Sequence, residues 1–408
     1  MKIIIFTADS NGGFPVPAVK GGAVSTLIES LVNENNKKKL CDMTVVSLYN
    51  KKAKDTAKKK YPNVHFKYIK VPLIIRVLDK SAFFIMKKCF KKEKSISYKS
   101  VFSLLFYILK SSSFLKRAKT DKVILENNIP LALIIKLSNY RGQYYYHLHN
   151  MPRINAGCRN VFKNCTAYLC VSKYVCNQIE SIKNPIGPVS PKKVRILHNA
   201  INTNRFKVLA NRNKLKYQIA KRYNFNVNDK IILYTGRISL EKGIDKAIDA
   251  LKYLKDSQFV FLIVGSISYG DKSFKNDYVE KVKKRAKKLG KKVRFTGYIA
   301  QNELPIIYNV ADLAILPSMW DEPAGLTMIE AMACGVPVIT TRSGGIPEYV
   351  GNDAIVIERD KMLIKNLAFS INKVLEDPEV YRRKGISRIK NNFSEDNYLE
   401  RFMKCIEK

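Results

Sequence analysis

The hydrophobic pattern between residues 230 and 340 switches repeatedly from short apolar runs to helical periodicity, and this alternation restricts the fold more than any other feature. Residues 231–234, 259–264, 293–296, 313–316 and 336–340 read as strands, and residues 244–254, 278–289, 303–309 and 326–334 between them as helices. The runs are continuously apolar rather than alternating, as in strands buried on both faces. Strict β, α alternation of that kind makes a doubly wound parallel sheet. The first half repeats the logic less clearly. Ile3-Ile4-Ile5-Phe6 forms an apolar run, a glycine-bearing loop leads through Gly21 and Gly22 to a helix over 23–33, and strand-like runs follow at 43–48, 122–126, 144–148 and 167–172. The economical reading is α/β, with two Rossmann-like doubly wound parallel-sheet domains. A strand over 194–197 ending in His198-Asn199 sets the junction, which gives domains 1–198 and 199–390, with residues 391–408 as a terminal helix packing back toward the first domain.

Length agrees, since 408 residues exceed what one hydrophobic core sustains. The eight cysteines contain no C-x-x-C pair, so they read as reduced thiols of a cytoplasmic protein. The apolar run after Met1 is too short for a signal peptide, and residues 100–109 reach about half the ~20 residues of a membrane span. Net charge is the anomaly. Lys and Arg number 73 against 34 Asp and Glu, a formal +39. Residues 1–200 carry 36 basic and 10 acidic side chains, and residues 51–119 alone carry 20 and three. In that segment Phe83, Phe84, Phe90 and Phe102 lie among Lys87, Lys88, Lys91 and Lys92. Such a mixture suits an interfacial surface on anionic membrane, and equally a helix with an apolar core face and a solvated basic face.

The strongest chemical signal is Glu322-Pro323-Ala324-Gly325-Leu326-Thr327-Met328-Ile329-Glu330, between a strand and a helix. Backbone N–H groups at Gly325 and its successors, with the helix dipole, suit a phosphate. Glu322 and Glu330 would accept hydrogen bonds from sugar and ribose hydroxyls. Thr235-Gly236-Arg237 closes the first strand of this domain and Glu241-Lys242-Gly243 opens the next helix. Both cations therefore sit at the carboxyl end of a parallel sheet, where a diphosphate leaving group would need positive charge. In the first domain His147 and His149 share one face at a strand end. A metal is disfavoured there because no Asp, Glu or Cys lies nearby at ligand spacing.

These residues, with Phe295-Thr296-Gly297-Tyr298, Gly335-Val336-Pro337-Val338 and the segment Leu197-His198-Asn199-Ala200-Ile201, resemble a retaining glycosyltransferase of the GT-B fold, in the group 1 (family 4) class. The resemblance implies two Rossmann-like domains facing a central cleft, the first binding acceptor and the second binding nucleotide sugar. It implies that Arg237 and Lys242 hold the donor diphosphate, that Glu322 binds the transferred sugar, and that Glu330 binds the ribose. Gly325, Leu326 and Thr327 would meet phosphate and sugar through their backbone, with Gly236 beside them, and Tyr298 would border the base. Gly21 and Gly22 would lie under the diphosphate, and His149 would face the transferred sugar. The implied chemistry is metal-independent transfer of a hexosyl or N-acetylhexosaminyl group, with no cofactor, from a UDP-linked donor to a glycan or lipid-linked acceptor. The implied setting is bacterial surface polysaccharide or glycoconjugate synthesis, cytoplasmic or peripheral on the inner face of the cell membrane. A GT-B-fold sugar-nucleotide epimerase is the nearest alternative. A basic nucleic-acid-binding protein is further off, since no P-loop, zinc finger, helix-turn-helix or RNP signature is present.

Overall fold

A computed structural model describes residues 1–8, 15–19, 22–89, 99–254, 258–265 and 277–407. The chain forms two compact units, Met1–Ala200 together with Glu395–Lys408, and Ile201–Ser394.

In the first unit the strands are β1 (Lys2–Phe6), β2 (Asp42–Leu48), β3 (His65–Ile69), β4 (Lys122–Glu126), β5 (Gln143–Leu148), β6 (Ala167–Cys170) and β7 (Val194–Ile196). They make one sheet ordered β3-β2-β1-β4-β5-β6-β7, parallel throughout. In the second unit β8 (Lys230–Thr235), β9 (Phe259–Val264), β10 (Val293–Gly297), β11 (Leu313–Leu316), β12 (Val338–Thr341) and β13 (Ile355–Ile357) form a parallel sheet ordered β10-β9-β8-β11-β12-β13. Each sheet is doubly wound, as the alternation predicts. All six residues of β9 are buried, which explains why its sequence, Phe-Val-Phe-Leu-Ile-Val, shows no polar alternation. The winding reverses between β1 and β4 and again between β8 and β11. At those two places the crossovers depart to opposite faces and leave a crevice at the strands' carboxyl ends.

Some boundaries differ from the pattern. The helix expected over 23–33 continues to Lys38, and the one expected over 244–254 ends at Ala250 in a 3-10 turn, Leu251–Tyr253. The strand expected to start at 336 starts at Val338. Residues 335 and 336 belong instead to the cap of the preceding helix, where Gly335 N–H donates to the Met332 carbonyl and Val336 N–H to the Ala331 carbonyl, both at 3.0 Å.

The helix Tyr398–Glu407 packs on the helix Ala23–Lys38 and on the first sheet's core, burying Tyr398, Leu399, Phe402, Met403 and Ile406. Its last carbonyls are met by Lys122, by Arg195 and by the Tyr145 hydroxyl, at 2.8 Å for the tyrosine. Cations at a helix C-terminus oppose the negative end of its dipole.

Between β3 and β4 the chain runs through helices Leu73–Cys89 and Val101–Arg117. Buried Asp79 of the first accepts from the Phe102 and Ser103 N–H groups of the second, at 2.9 and 3.1 Å, and so caps it. The second helix is pinned to the sheet by Tyr107, whose hydroxyl donates to the Val46 carbonyl at 2.7 Å and accepts from Thr7 N–H.

Candidate functional site

The second crevice is built by two loops, one after β8 and one after β11, strands that lie side by side. The loops are sewn together by backbone. Met319 N–H donates to the Glu241 carbonyl at 2.7 Å, and Gly243 takes a left-handed φ of 61° so close to the other loop that a Cβ there would sit 2.1 Å from the Pro317 oxygen. Gly344, at φ 56°, makes a similar approach to the Glu322 carbonyl, which accepts from Gly345 N–H at 2.7 Å. Only glycine tolerates either position.

This stitching holds Lys242 and Glu322 together, with Nζ 2.7 Å from the carboxylate, although they are 80 residues apart in sequence. Glu322 is buried and Lys242 is partly buried. One ammonium proton is thereby used, and two remain for a ligand's oxygens. Arg237 is half exposed and reaches Glu241 at 3.6 Å. Such exposed pairs contribute little, about 0 to 1 kcal/mol, so its guanidinium is cheaply released to a ligand. The Arg237 carbonyl accepts from the buried Tyr234 hydroxyl at 2.8 Å, which fixes the loop after Gly236.

Gly325 begins the helix Leu326–Ala333 with no side-chain cap. Glu330 lies on this helix, partly exposed as a residue but with a desolvated carboxyl. Burial pushes its pKa up to about 7, against a hydrogen bond from the Tyr308 hydroxyl at 3.1 Å and the charge of Arg205. Tyr308 also lies 3.1 Å from the Thr235 hydroxyl, so a continuous polar chain links Glu330 to the end of β8. Sequence reading missed Tyr308. It stands within the apolar helix Leu304–Val310, and nothing in that pattern separates it from a core aromatic. Leu326 and Thr327 occupy the helix's first turn, while Tyr298 is half exposed beyond β10, at the far edge of the sheet.

In the first unit Gly22, at φ 111°, precedes the helix Ala23–Lys38 after β1, and Gly21 lies outside the described residues. His149 follows β5. Its Nε2 lies 3.0 Å from Glu126 Oε2 at the end of the neighbouring strand β4, and His147 Nδ1 lies 3.1 Å from the same oxygen and 3.2 Å from Oε1. The expectation that no acid stands near the histidine pair is therefore corrected. Glu126 is remote in sequence but adjacent in the sheet, where parallel pairing sets it directly beside His147. The two histidines hold the buried Glu126 carboxyl down to about 2, although burial opposes this. Burial and neighbouring His147 push His149 down to about 4. One donor atom from each of the three residues falls within 4.8 Å of the others, a His₂Glu set of the sort that binds zinc. Here the carboxylate already engages both rings, so the cluster closes on itself by hydrogen bonding.

Comparison with known proteins places this geometry. Residues 216–390 match the family described as glycosyl transferases group 1. The mannosylfructose-phosphate synthase of Agrobacterium fabrum is 32% identical over 167 residues, 40% of this chain and 36% of that protein. The lipopolysaccharide 1,2-N-acetylglucosaminetransferase of Salmonella typhimurium is 30% identical over 45% of this chain and 50% of its own length. The chain thus spans about half or less of the length of these curated relatives. Across the whole chain the fold is that of solved GT-B structures. A glycosyltransferase from Rickettsia africae superposes with a TM-score of 0.70 at 19% identity, covering 99% of this chain and 97% of its own. Anabaena HepE, in complex with UDP and glucose, gives 0.69 at 16% identity, covering 100% and 99%. The pieces expected for the donor end, Arg237, Lys242, Glu322, Gly325 and Glu330, all fall inside the matched stretch, so it is residues 216–390 that resemble the group 1 glycosyl transferases.

Proposed function

We propose that the protein is a retaining glycosyltransferase that moves a hexosyl or N-acetylhexosaminyl group from a UDP-sugar to a glycan or lipid-linked acceptor, in bacterial surface polysaccharide or glycoconjugate assembly. The observation that carries this reading is the Lys242–Glu322 pair, held at 2.7 Å at the winding reversal of the second sheet, beside an uncapped helix N-terminus. A diphosphate binding there meets the two unused Lys242 protons, the Arg237 guanidinium and the N–H groups of Gly325, Leu326 and Thr327. Glu322 accepts from hydroxyls of the transferred sugar, and Glu330 from those of the ribose. As the bond to the sugar breaks, negative charge grows on the diphosphate, and the two cations stabilise it without a metal. His149 is assigned to a hydroxyl of the transferred sugar.

The acceptor's membrane setting is supported by the outer faces of helices Leu73–Cys89 and Val101–Arg117. The second helix buries Leu104, Tyr107, Ile108 and Leu115 and the first buries Asp79 alone among its described side chains, while Leu73, Ile74, Val77, Leu78, Phe84 and Ile85 on the first and Phe102, Leu105 and Leu109 on the second remain exposed. Arg76, Lys80, Lys110, Lys116 and Arg117 accompany them at the surface. We read this as a face for anionic lipid, which would keep a cytoplasmic enzyme at the inner membrane surface. Phe90, Lys91 and Lys92 lie outside the described residues.

The decisive experiment is kinetic. Arg237→Ala and Lys242→Ala are each expected to lower kcat by about 10² to 10³, on the order of 3 to 4 kcal/mol of lost transition-state stabilisation. Wild-type transfer is expected to persist in EDTA. Near-normal turnover in both folded variants, or activity lost to EDTA and restored by manganese, contradicts the mechanism.

A further inference from the structure

The buried Glu126, His147 and His149 form a cluster whose chemistry is set by counting donors and acceptors. An ionised carboxylate only accepts, so every ring nitrogen that faces it must carry a proton. Glu126 Oε2 lies 3.1 Å from His147 Nδ1 and 3.0 Å from His149 Nε2, and Oε1 lies 3.2 Å from His147 Nδ1, so both ring nitrogens face the carboxylate. A neutral imidazole has one N–H, so its second nitrogen is then a bare lone pair. Those second nitrogens, His147 Nε2 and His149 Nδ1, are buried and make no hydrogen bond. The rings stand 4.0 Å apart, tilted by 49°, so the rotation of each is limited by the other. Asn199, from the segment after β7, is a neighbour of His149.

We propose that Glu126 is a positioning residue that locks both histidines into opposite tautomers, protonated at His147 Nδ1 and His149 Nε2, so that His149 presents Nδ1 as a hydrogen-bond acceptor toward a substrate hydroxyl. One carboxylate fixes two rings because it has no proton to give, and Oε2 with its several lone pairs lies within hydrogen-bond reach of both. Having given its one N–H to Glu126, the neutral His149 ring offers a substrate only an acceptor. A hydroxyl-bearing group beside it is recognised through the proton it donates. The catalytic consequence rests on the reading of His149 as facing the transferred sugar, whereas the tautomers do not depend on that reading.

The test separates the two. Protein labelled with ¹⁵N-histidine contains only His65, His147, His149 and His198, which are assignable by single His→Gln variants. Two-bond ¹H–¹⁵N correlation at pH 7 reports which nitrogen of each ring carries the proton. The expected result in wild type, without substrate, is Nδ1–H for His147 and Nε2–H for His149. In Glu126→Gln the amide offers one accepting oxygen and one donating NH₂, and because His147 Nδ1 reaches both positions the NH₂ faces it in either orientation, so His147 at least is expected to switch tautomer or show a mixture. The same variant is expected to lower kcat for transfer by tenfold or more, and Glu126→Asp, which keeps two accepting oxygens, to recover part of the loss. Either wild-type ring in the opposite tautomer, both rings unchanged in Glu126→Gln, or stoichiometric zinc on the rings of the purified protein overturns the proposal. The wild-type spectrum decides it even if Glu126→Gln does not fold. The expected tautomers in a protein that transfers no sugar uphold the lock and overturn the proposed function.

Discussion

With the ribose role proposed for Glu330, nucleotide binding is expected to depend on pH. The Glu330 carboxyl titrates near 7 because burial outweighs the Tyr308 hydrogen bond and the Arg205 charge. At pH 6 it is mostly protonated, and at pH 8 mostly ionised. Ribose hydroxyls donate, and the ionised form is the better acceptor. UDP affinity is therefore expected to rise between pH 6 and pH 8 by up to about tenfold, and Glu330→Gln to flatten this component. Trp320, the sole tryptophan, stands two residues from Glu322 and serves as the fluorescence probe of binding. A rise that is identical in wild type and variant assigns the pH dependence elsewhere. The stability sign is opposite. With the folded value above the ordinary 4.5, this carboxyl's contribution is present below 4.5 and is lost as pH climbs through about 7. Glu330→Gln is thus expected to cost no stability at pH 8, as a calorimetric melt would show.

At the scale of elements, the pair of helices inserted between β3 and β4 carries more apolar surface than folding uses. The helix Val101–Arg117 buries Leu104, Tyr107, Ile108 and Leu115 on one side and still exposes Phe102, Leu105 and Leu109. Replacing Ile74, Val77 and Phe102 by serine should therefore leave the melting temperature within a few degrees of wild type while reducing co-sedimentation with anionic liposomes. Unchanged binding at low salt removes the membrane assignment for this face. What sequence made legible here follows from local patterning. The second sheet was readable because β8, β9 and β11 are apolar on both faces and the helices after β8 and β11 begin at Gly243 and Gly325, so period and punctuation agree. The insert was ambiguous because an apolar face toward core and one toward lipid have the same composition. Lys242–Glu322 was legible only as two motifs. Glu126 was not legible at all, since its role arises from strand adjacency, which no spacing along the chain encodes.

At the scale of the whole molecule, the end of the chain returns to complete the unit that the beginning starts. Tyr398, Leu399, Phe402, Met403 and Ile406 fill the first unit's core, and Glu395 accepts from the Ser30 hydroxyl at 3.1 Å. Fully burying side chains of this size stabilises by about 1.5 to 3 kcal/mol each, so this helix contributes on the order of 10 kcal/mol, as an upper estimate. A domain's entire stability is about 5 to 15 kcal/mol. Deleting residues 395–408 should therefore unfold the first unit rather than fray it. The second unit, Ile201–Ser394, keeps all its strands and both of its donor-site loops in the truncated chain. Limited proteolysis is expected to degrade residues 1–200 rapidly in the truncated protein and to leave a resistant fragment that still changes Trp320 fluorescence with UDP. A truncated protein whose first unit resists protease as wild type does shows that the helix is dispensable. Loss of the UDP response in the resistant fragment shows instead that the donor site depends on the first unit as well.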